Sequence, residues 1–213
     1  MSSINLFNPF QTISGFNQTQ ELENFIVSET CIITMDDIWK LYKNRFPKNI
    51  DVYFVKSLEE KELEKDISKF KNYKMVIGFG GGQALDIAKY FSWKCNLKLF
   101  QFPTSISVDA VFGHRSGIRR EGNVSYIGWA IPECVFFDYE IIQSAPKIYN
   151  YSGIGDVLCF YTGVLDWQYA NKQSKCEEKW SYKPELASKS LSYVDDLLFN
   201  AENIREMNEK GIN

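Results

Sequence analysis

A single histidine, His114, stands in 213 residues, so this chain alone cannot build a metal site from several histidines. No cysteine pair has CxxC spacing. The five thiols, Cys31, Cys95, Cys134, Cys159 and Cys176, are odd in number and far apart, which removes zinc ribbons and redox dithiols. They read as buried free thiols of a reducing compartment. There is no surplus of positive charge either, with Lys+Arg 24 against Asp+Glu 27, so nothing invites a nucleic-acid backbone. No stretch approaches the roughly eighteen uninterrupted apolar residues of a membrane span. Residues 1–10 lack the positive head and apolar run of a secretory signal, and the expected location is the cytoplasm. Repeats and low-complexity tracts are absent.

What is present suits a globular chain with a substantial core: 45% hydrophobic, 15% aromatic and 24% charged residues, in ordinary proportion. Short apolar runs at 31–34, 51–55, 74–79, 97–102 and 134–138 read as strands. Helical patterns lie between them, at about 37–42, at 57–70 behind a Ser57–Glu60 capping box, and at 83–93. Asp36 or Asp37 is placed to cap the first of these helices. Strands alternating with helices predict an α/β fold, a Rossmann-like parallel sheet covered by helices. Residues 104–129, rich in Gly, Ser and Arg, predict loops and a hairpin near Glu121–Asn123. After Pro146 only helical signals remain, at 154–170 and 184–210. The predicted organisation is therefore an α/β domain over 1–145 and the first helices of an all-helical domain over 146–213. Leu191, Val194, Leu197, Leu198, Ala201, Ile204 and Met207 recur at helical spacing as a wide apolar stripe. Such a stripe needs a partner, either more of the same protein or a second copy, and the expected assembly is a homo-oligomer. Tyr149, Tyr151, Tyr161 and Trp167 read as core.

The strongest chemical signal is Gly80-Gly81-Gly82 between a strand and a helix. Glycines there let backbone approach a phosphate, and the helix N-terminus offers free N–H groups and the positive end of its dipole. Gln83 occupies the place of the third glycine in the usual dinucleotide fingerprint, and the Lys-Ser/Thr of a P-loop is missing. A tight turn with no ligand is the other reading of the same residues. Thr104, Ser105, Ile106, Ser107 and Asp109 follow the next strand, at the sheet edge where open α/β folds bind ligands. Their hydroxyls and carboxylate suit a nucleotide or polyol, or simply a polar loop. Asp156 reads as a helix N-cap or as one metal ligand. His114, beside Arg115, Arg119 and Arg120, reads as surface or structural ahead of acid–base chemistry.

Four segments in order and at fitting separations, 80–89, 103–110, 138–146 and 153–167, together resemble the iron-containing alcohol dehydrogenase and dehydroquinate synthase-like superfamily. The Leu165-Asp166-Trp167 ending resembles its glycerol-1-phosphate dehydrogenase branch. The resemblance implies a small-molecule enzyme with NAD or NADP and a divalent metal (zinc, nickel or iron). It interconverts dihydroxyacetone phosphate and sn-glycerol 1-phosphate by hydride transfer. It further implies that Gly80, Gly81, Gly82, Gln83, Ala84, Leu85 and Asp86 meet the cofactor pyrophosphate, with Thr104, Ser105, Ile106 and Ser107 around the nicotinamide-side ribose. Asp109 and Asp156 would bind substrate, and Asp156 would also ligate the metal. Three positions depart from the family pattern. No histidine follows His114, where two would complete the metal site. Gly113 replaces a serine near the cofactor. Met35 stands where a carboxylate helps to select NAD over NADP. The chain is thus expected to be the front part of such an enzyme, inactive by itself. A non-catalytic nucleotide-binding protein, a glycerol dehydrogenase or a dehydroquinate-synthase-like cyclase are the alternatives on the same fold.

Overall fold

The computed structural model describes residues 11–212; the expectation that residues 1–10 form no secretory leader lies outside them. The chain divides at Ser144/Ala145 into two compact units.

In the first unit six strands form one parallel sheet: β1 (Gln11–Gly15), β2 (Thr30–Thr34), β3 (Asp51–Phe54), β4 (Met75–Gly80), β5 (Lys98–Pro103) and, after a hairpin, β8 (Cys134–Asp138). Their spatial order is β1-β8-β5-β4-β2-β3. The side chains of a strand alternate between faces, and both faces here are covered. Cys31, Ile33 and Val76 pack on one side with Leu63, Phe70, Ile87, Ala88, Tyr90 and Phe91. Ile32, Met75, Ile77 and Phe79 pack on the other with Leu22, Phe46 and Ile141. Burial on both faces explains why β2 and β4 read as unbroken apolar runs. Helices α3 (Glu60–Asp66) and α4 (Gly82–Cys95) serve the first side; α1 (Gln18–Glu23), α2 (Asp36–Tyr42) and α5 (Tyr139–Ser144) serve the second. Phe70 stacks on Phe91 at 3.9 Å between ring centroids. The expected hairpin forms from β6 (Ser116–Arg120) and β7 (Asn123–Ile127), turning at Glu121 and Gly122.

Sequence and structure part in several places. β1 and α1 lie in a stretch with no strong apolar signal. β1 is a half-exposed edge strand, and pairing with β8 supplies its order. The Ser57 hydroxyl does not cap α3; it accepts the Glu59 N–H at 3.0 Å in a local turn, and the helix starts at Glu60. No side chain caps α2: Asp37 accepts from the adjacent Ile38 N–H, and Asp36 pairs with Lys40 one turn on. Asp138 does cap. Its buried carboxylate accepts N–H bonds from Glu140 (3.0 Å), Ile141 (3.3 Å) and, across the sheet edge, Gln18 (2.8 Å).

The second unit is helical. The helix expected at 154–170 is longer, α6 (Lys147–Lys172), with Pro146 at its N-cap. The helix expected at 184–210 is broken into α7 (Pro184–Phe199), α8 (Ala201–Glu206) and α9 (Glu209–Ile212). The breaks fall at asparagines, whose side chains bond local backbone in competition with the helix: Asn208 Oδ1 accepts the Gly211 N–H at 3.0 Å. Of the stripe, Val194 and Met207 are buried while Leu198 is 59% exposed. Tyr149 and Tyr161, read as core, are 60% and 56% exposed, and Tyr151 and Trp167 are half-buried. α6 and α7 pack on each other, and a single helix pair covers only one side of each. No described helix is long and apolar enough to cross a membrane.

Two measurements check this architecture. Burial pushes the thiols of Cys31 and Cys134 up to about 12 and about 11, so both stay protonated and shielded at pH 8. A thiol reagent at that pH is expected to modify the exposed Cys159 promptly, and Cys31 and Cys134 only on unfolding. Asp138→Ala, which strands three donors, is expected to lower unfolding free energy by about 3 kcal/mol, read by urea denaturation.

Candidate dinucleotide site

The strand order of the parallel sheet reverses between β2 and β4. β2 leads through α2 outward to β3, whereas β4 leads through α4 to β5 on the opposite flank. The carboxyl ends of these two strands therefore flank a crevice, the place where open α/β sheets bind ligands. Gly80, Gly81 and Gly82 lie there, with Pro103 and Thr104 at the end of β5 beside them: the Thr104 N–H donates to Gly80 O at 3.1 Å.

Gly80 has φ +147, and a Cβ there would come within 3.0 Å of the Ala84 Cβ. The chain can make this turn only with glycine. Gly81 and Gly82 are different. A Cβ on Gly81 meets nothing within 4 Å, and one on Gly82 meets only the Ala110 Cβ at 3.9 Å. Space is left open above the turn. The first helical bond of α4 runs from Leu85 N to Gly81 O at 3.2 Å, so the N–H groups of Gly82, Gln83 and Ala84 precede the helical ladder. No side chain caps this end. The result is an uncapped helix N-terminus whose leading N–H groups suit a phosphate.

Of the other expected residues, Ala84 and Leu85 are fully buried and can offer only backbone. Gln83 is exposed on the first turn. Asp86 is turned along α4 toward Lys89, with 2.8 Å between Oδ1 and Nζ. Thr104 and Ser105 are buried, Ile106 and Ser107 half-buried, and Asp109 is exposed at the start of a 3-10 turn, Asp109–Val111. Gly113 follows on the same loop. The structure thus brings 80–86 and 104–113 together around one helix end. Asp156 belongs to the other unit. It is not an N-cap, because α6 begins nine residues earlier; it is exposed on the helix surface. Among the described residues no group of three or more His, Cys, Asp and Glu side chains is placed to hold a metal ion.

The cationic loop is engaged with protein. Arg120 forms a two-pronged pair with Glu60 (2.6 and 3.1 Å), Arg115 donates to Tyr126 O, and Arg119 reaches Gly122 O. His114 lies on Trp129, ring centroids 3.9 Å apart. The residue that motif reading undervalued is Lys89, which is 1% exposed. Its spacing of seven from Gly82, the same helix face, is the signal that could have singled it out.

A family model described as iron-containing alcohol dehydrogenase matches residues 24–146. The chain belongs to the iron-containing alcohol dehydrogenase family. Among its relatives, the glycerol-1-phosphate dehydrogenase [NAD(P)+] of Pyrococcus abyssi is 33% identical, over 96% of this chain and 62% of that protein. The enzyme of the same name from Hyperthermus butylicus is 29% identical over 78% of this chain and 50% of its own length. The chain spans between 42% and 62% of the length of such curated relatives. In fold it is similar to a probable glycerol dehydrogenase from Sinorhizobium meliloti (TM-score 0.68, 18% identity, 93% of this chain and 58% of that one). Family membership agrees with a parallel sheet turned by a glycine loop at its reversal point.

The geometry separates the three glycines. Gly80→Ala is expected to cost about 1–3 kcal/mol of stability through backbone strain, and Gly81→Ala to stay within about 0.5 kcal/mol of wild type. Thermal denaturation of both variants measures the contrast.

Proposed function

We propose that this chain is the dinucleotide-binding part of an NAD(P)-dependent oxidoreductase that interconverts dihydroxyacetone phosphate and sn-glycerol 1-phosphate. The observation that carries the reading is the uncapped α4 N-terminus behind Gly80-Gly81-Gly82, at the reversal point of the sheet. The printed names of the curated relatives support the substrate. In this reading the N–H groups of Gly82, Gln83 and Ala84 hold the pyrophosphate, and the open space at Gly81 admits it. Thr104, Ser105 and Ser107 present hydroxyls to the nicotinamide-side ribose, Ile106 packs beside them, and Gly113 leaves room on the same loop. Asp109, exposed at the loop's end, accepts hydrogen bonds from substrate hydroxyls. The nicotinamide, when bound, supplies or accepts the hydride.

A metal is a different matter. Asp156 is one carboxylate, and useful divalent sites need about three protein ligands. The described residues do not fit such a centre. We place the missing histidines, and the rest of the helical domain, in sequence beyond these 213 residues, with Asp156 as their partner ligand for zinc, nickel or iron. The exposed Leu158, Phe160 and Leu198 support burial against that remainder or a second copy.

Two experiments test the proposal. The reading frame beyond Asn213 is expected to encode helices carrying two histidines, and the full-length product to oxidise NADH or NADPH with dihydroxyacetone phosphate; no oxidation of either overturns the assignment. The 213-residue chain should quench or enhance NAD(P)H fluorescence on binding without turnover. Gly81→Val, which fills the cradle, should weaken that binding at least about tenfold, the worth of one or two lost hydrogen bonds.

A further inference from the structure

Lys89 is a fully buried ammonium, 1% exposed, inside a cage of four oxygens. It donates to the backbone carbonyls of Ala110 (2.9 Å), Gly113 (3.1 Å) and Arg115 (2.6 Å) and pairs with Asp86 Oδ1 at 2.8 Å. Taking an ammonium out of water is costly, and a well-packed apolar side chain usually does as well or better for stability alone. Three of the four oxygens belong to one loop, the one that leaves β5 at Thr104 and enters the hairpin at Ser116. Phe112 N bonds Asp109 O inside that loop at 3.0 Å, His114 O accepts the Ala130 N–H at 2.9 Å, and buried Val111 packs on Leu85 and Val135. The carbonyls of 110, 113 and 115 converge on this one ammonium. Gly82, Asp86 and Lys89 share one face of α4, and the same face meets Ala110 at the Gly82 end. The helix that presents the phosphate turn therefore also grips the loop presenting Thr104–Asp109.

We infer that Lys89 is a positioning residue: its ammonium gathers the 104–115 loop onto α4 and so fixes the loop's hydroxyls and Asp109 in register with the glycine turn. This rests on the dinucleotide reading proposed above. Asp86 acts through Lys89, holding the charge that the carbonyls surround. Because the grip depends on a compact ammonium with radiating donors, arginine substitutes poorly; its planar fork directs its donors differently.

The test compares Lys89→Met, Lys89→Arg and, as a control at the same helix–loop junction, Ser116→Ala, which removes the Ser116 Oγ bond to Asp86 O (2.6 Å) and leaves the cage intact. Hydrogen exchange of amides 105–115 and NADH and NADPH affinity by fluorescence are read beside thermal stability. Expected are faster exchange confined to 105–115 and at least about tenfold weaker nucleotide binding in Lys89→Met. Lys89→Arg, which keeps a paired charge and hence the fold, should lie in between, and Ser116→Ala within about twofold of wild type. Unchanged loop exchange in both Lys89 variants overturns the inference, as does an affinity loss that tracks thermal stability equally in all three proteins. If wild-type chain binds neither nucleotide while Lys89→Met still loosens the loop, the dinucleotide reading fails and the loop anchor stands.

Discussion

The close approach of α4 to β4 is the constraint on which the first unit depends. At Gly78 a Cβ would fall 2.9 Å from the Ala88 Cβ and 2.7 Å from the Gln101 amide oxygen, so helix and strand meet with no side chain between them. That contact aims the helix N-terminus at the carboxyl edge of the sheet. It also lets the chain reverse within Gly80–Gly82, whose backbone then becomes the surface of the crevice. Small residues on the inner face of α4, Ala84 and Ala88, complete the fit; larger ones, Tyr90 and Phe91, anchor its far end among Phe70 and Tyr53. A tightly packed far end and a glycine-lined near end give a rigid helix with an accessible terminus.

The two units differ in how far each completes itself. The sheet is covered on both faces, and Phe79, Phe102 and Phe136 on its strands are fully buried. The helical unit rests on the packing of α6 against α7, and it leaves Ile148, Tyr169 and Phe199 largely exposed at 70%, 66% and 82%. Apolar exposure on that scale marks surfaces that find partners. The chain accordingly carries a sheet unit covered on both faces and a helical unit in want of contacts.

Much of the sheet was legible because its strands are buried on both faces and so stand out as apolar runs between turn residues. The glycine turn was legible for a related reason, since its residue types answer a backbone demand. What escaped was decided by tertiary contacts. β1 has little apolar character and is ordered by the register of β8. α6 begins at Lys147 and runs through Gly153 and Gly155, which puts Asp156 mid-helix rather than at a cap. The broken C-terminal helix had the right period but too many asparagines. Lys89 entered only as the end of the 80–89 segment, and the converging carbonyls reveal where its charge goes.

That destination bears on how the crevice would recognise an anion. Arg115, Arg119 and Arg120 are engaged with the hairpin and α3, and the ammonium of Lys89 points into the loop rather than toward the turn. What the turn presents is backbone: successive N–H groups and the positive end of a fourteen-residue helix. Such donors hold their geometry without side-chain ordering and act within the first turn only. Recognition then depends on the exact seating of the phosphate against α4 rather than on long-range attraction. The loop facing that turn must be held just as firmly, and the cation that we infer helps to hold it is buried about two turns along the same face of α4.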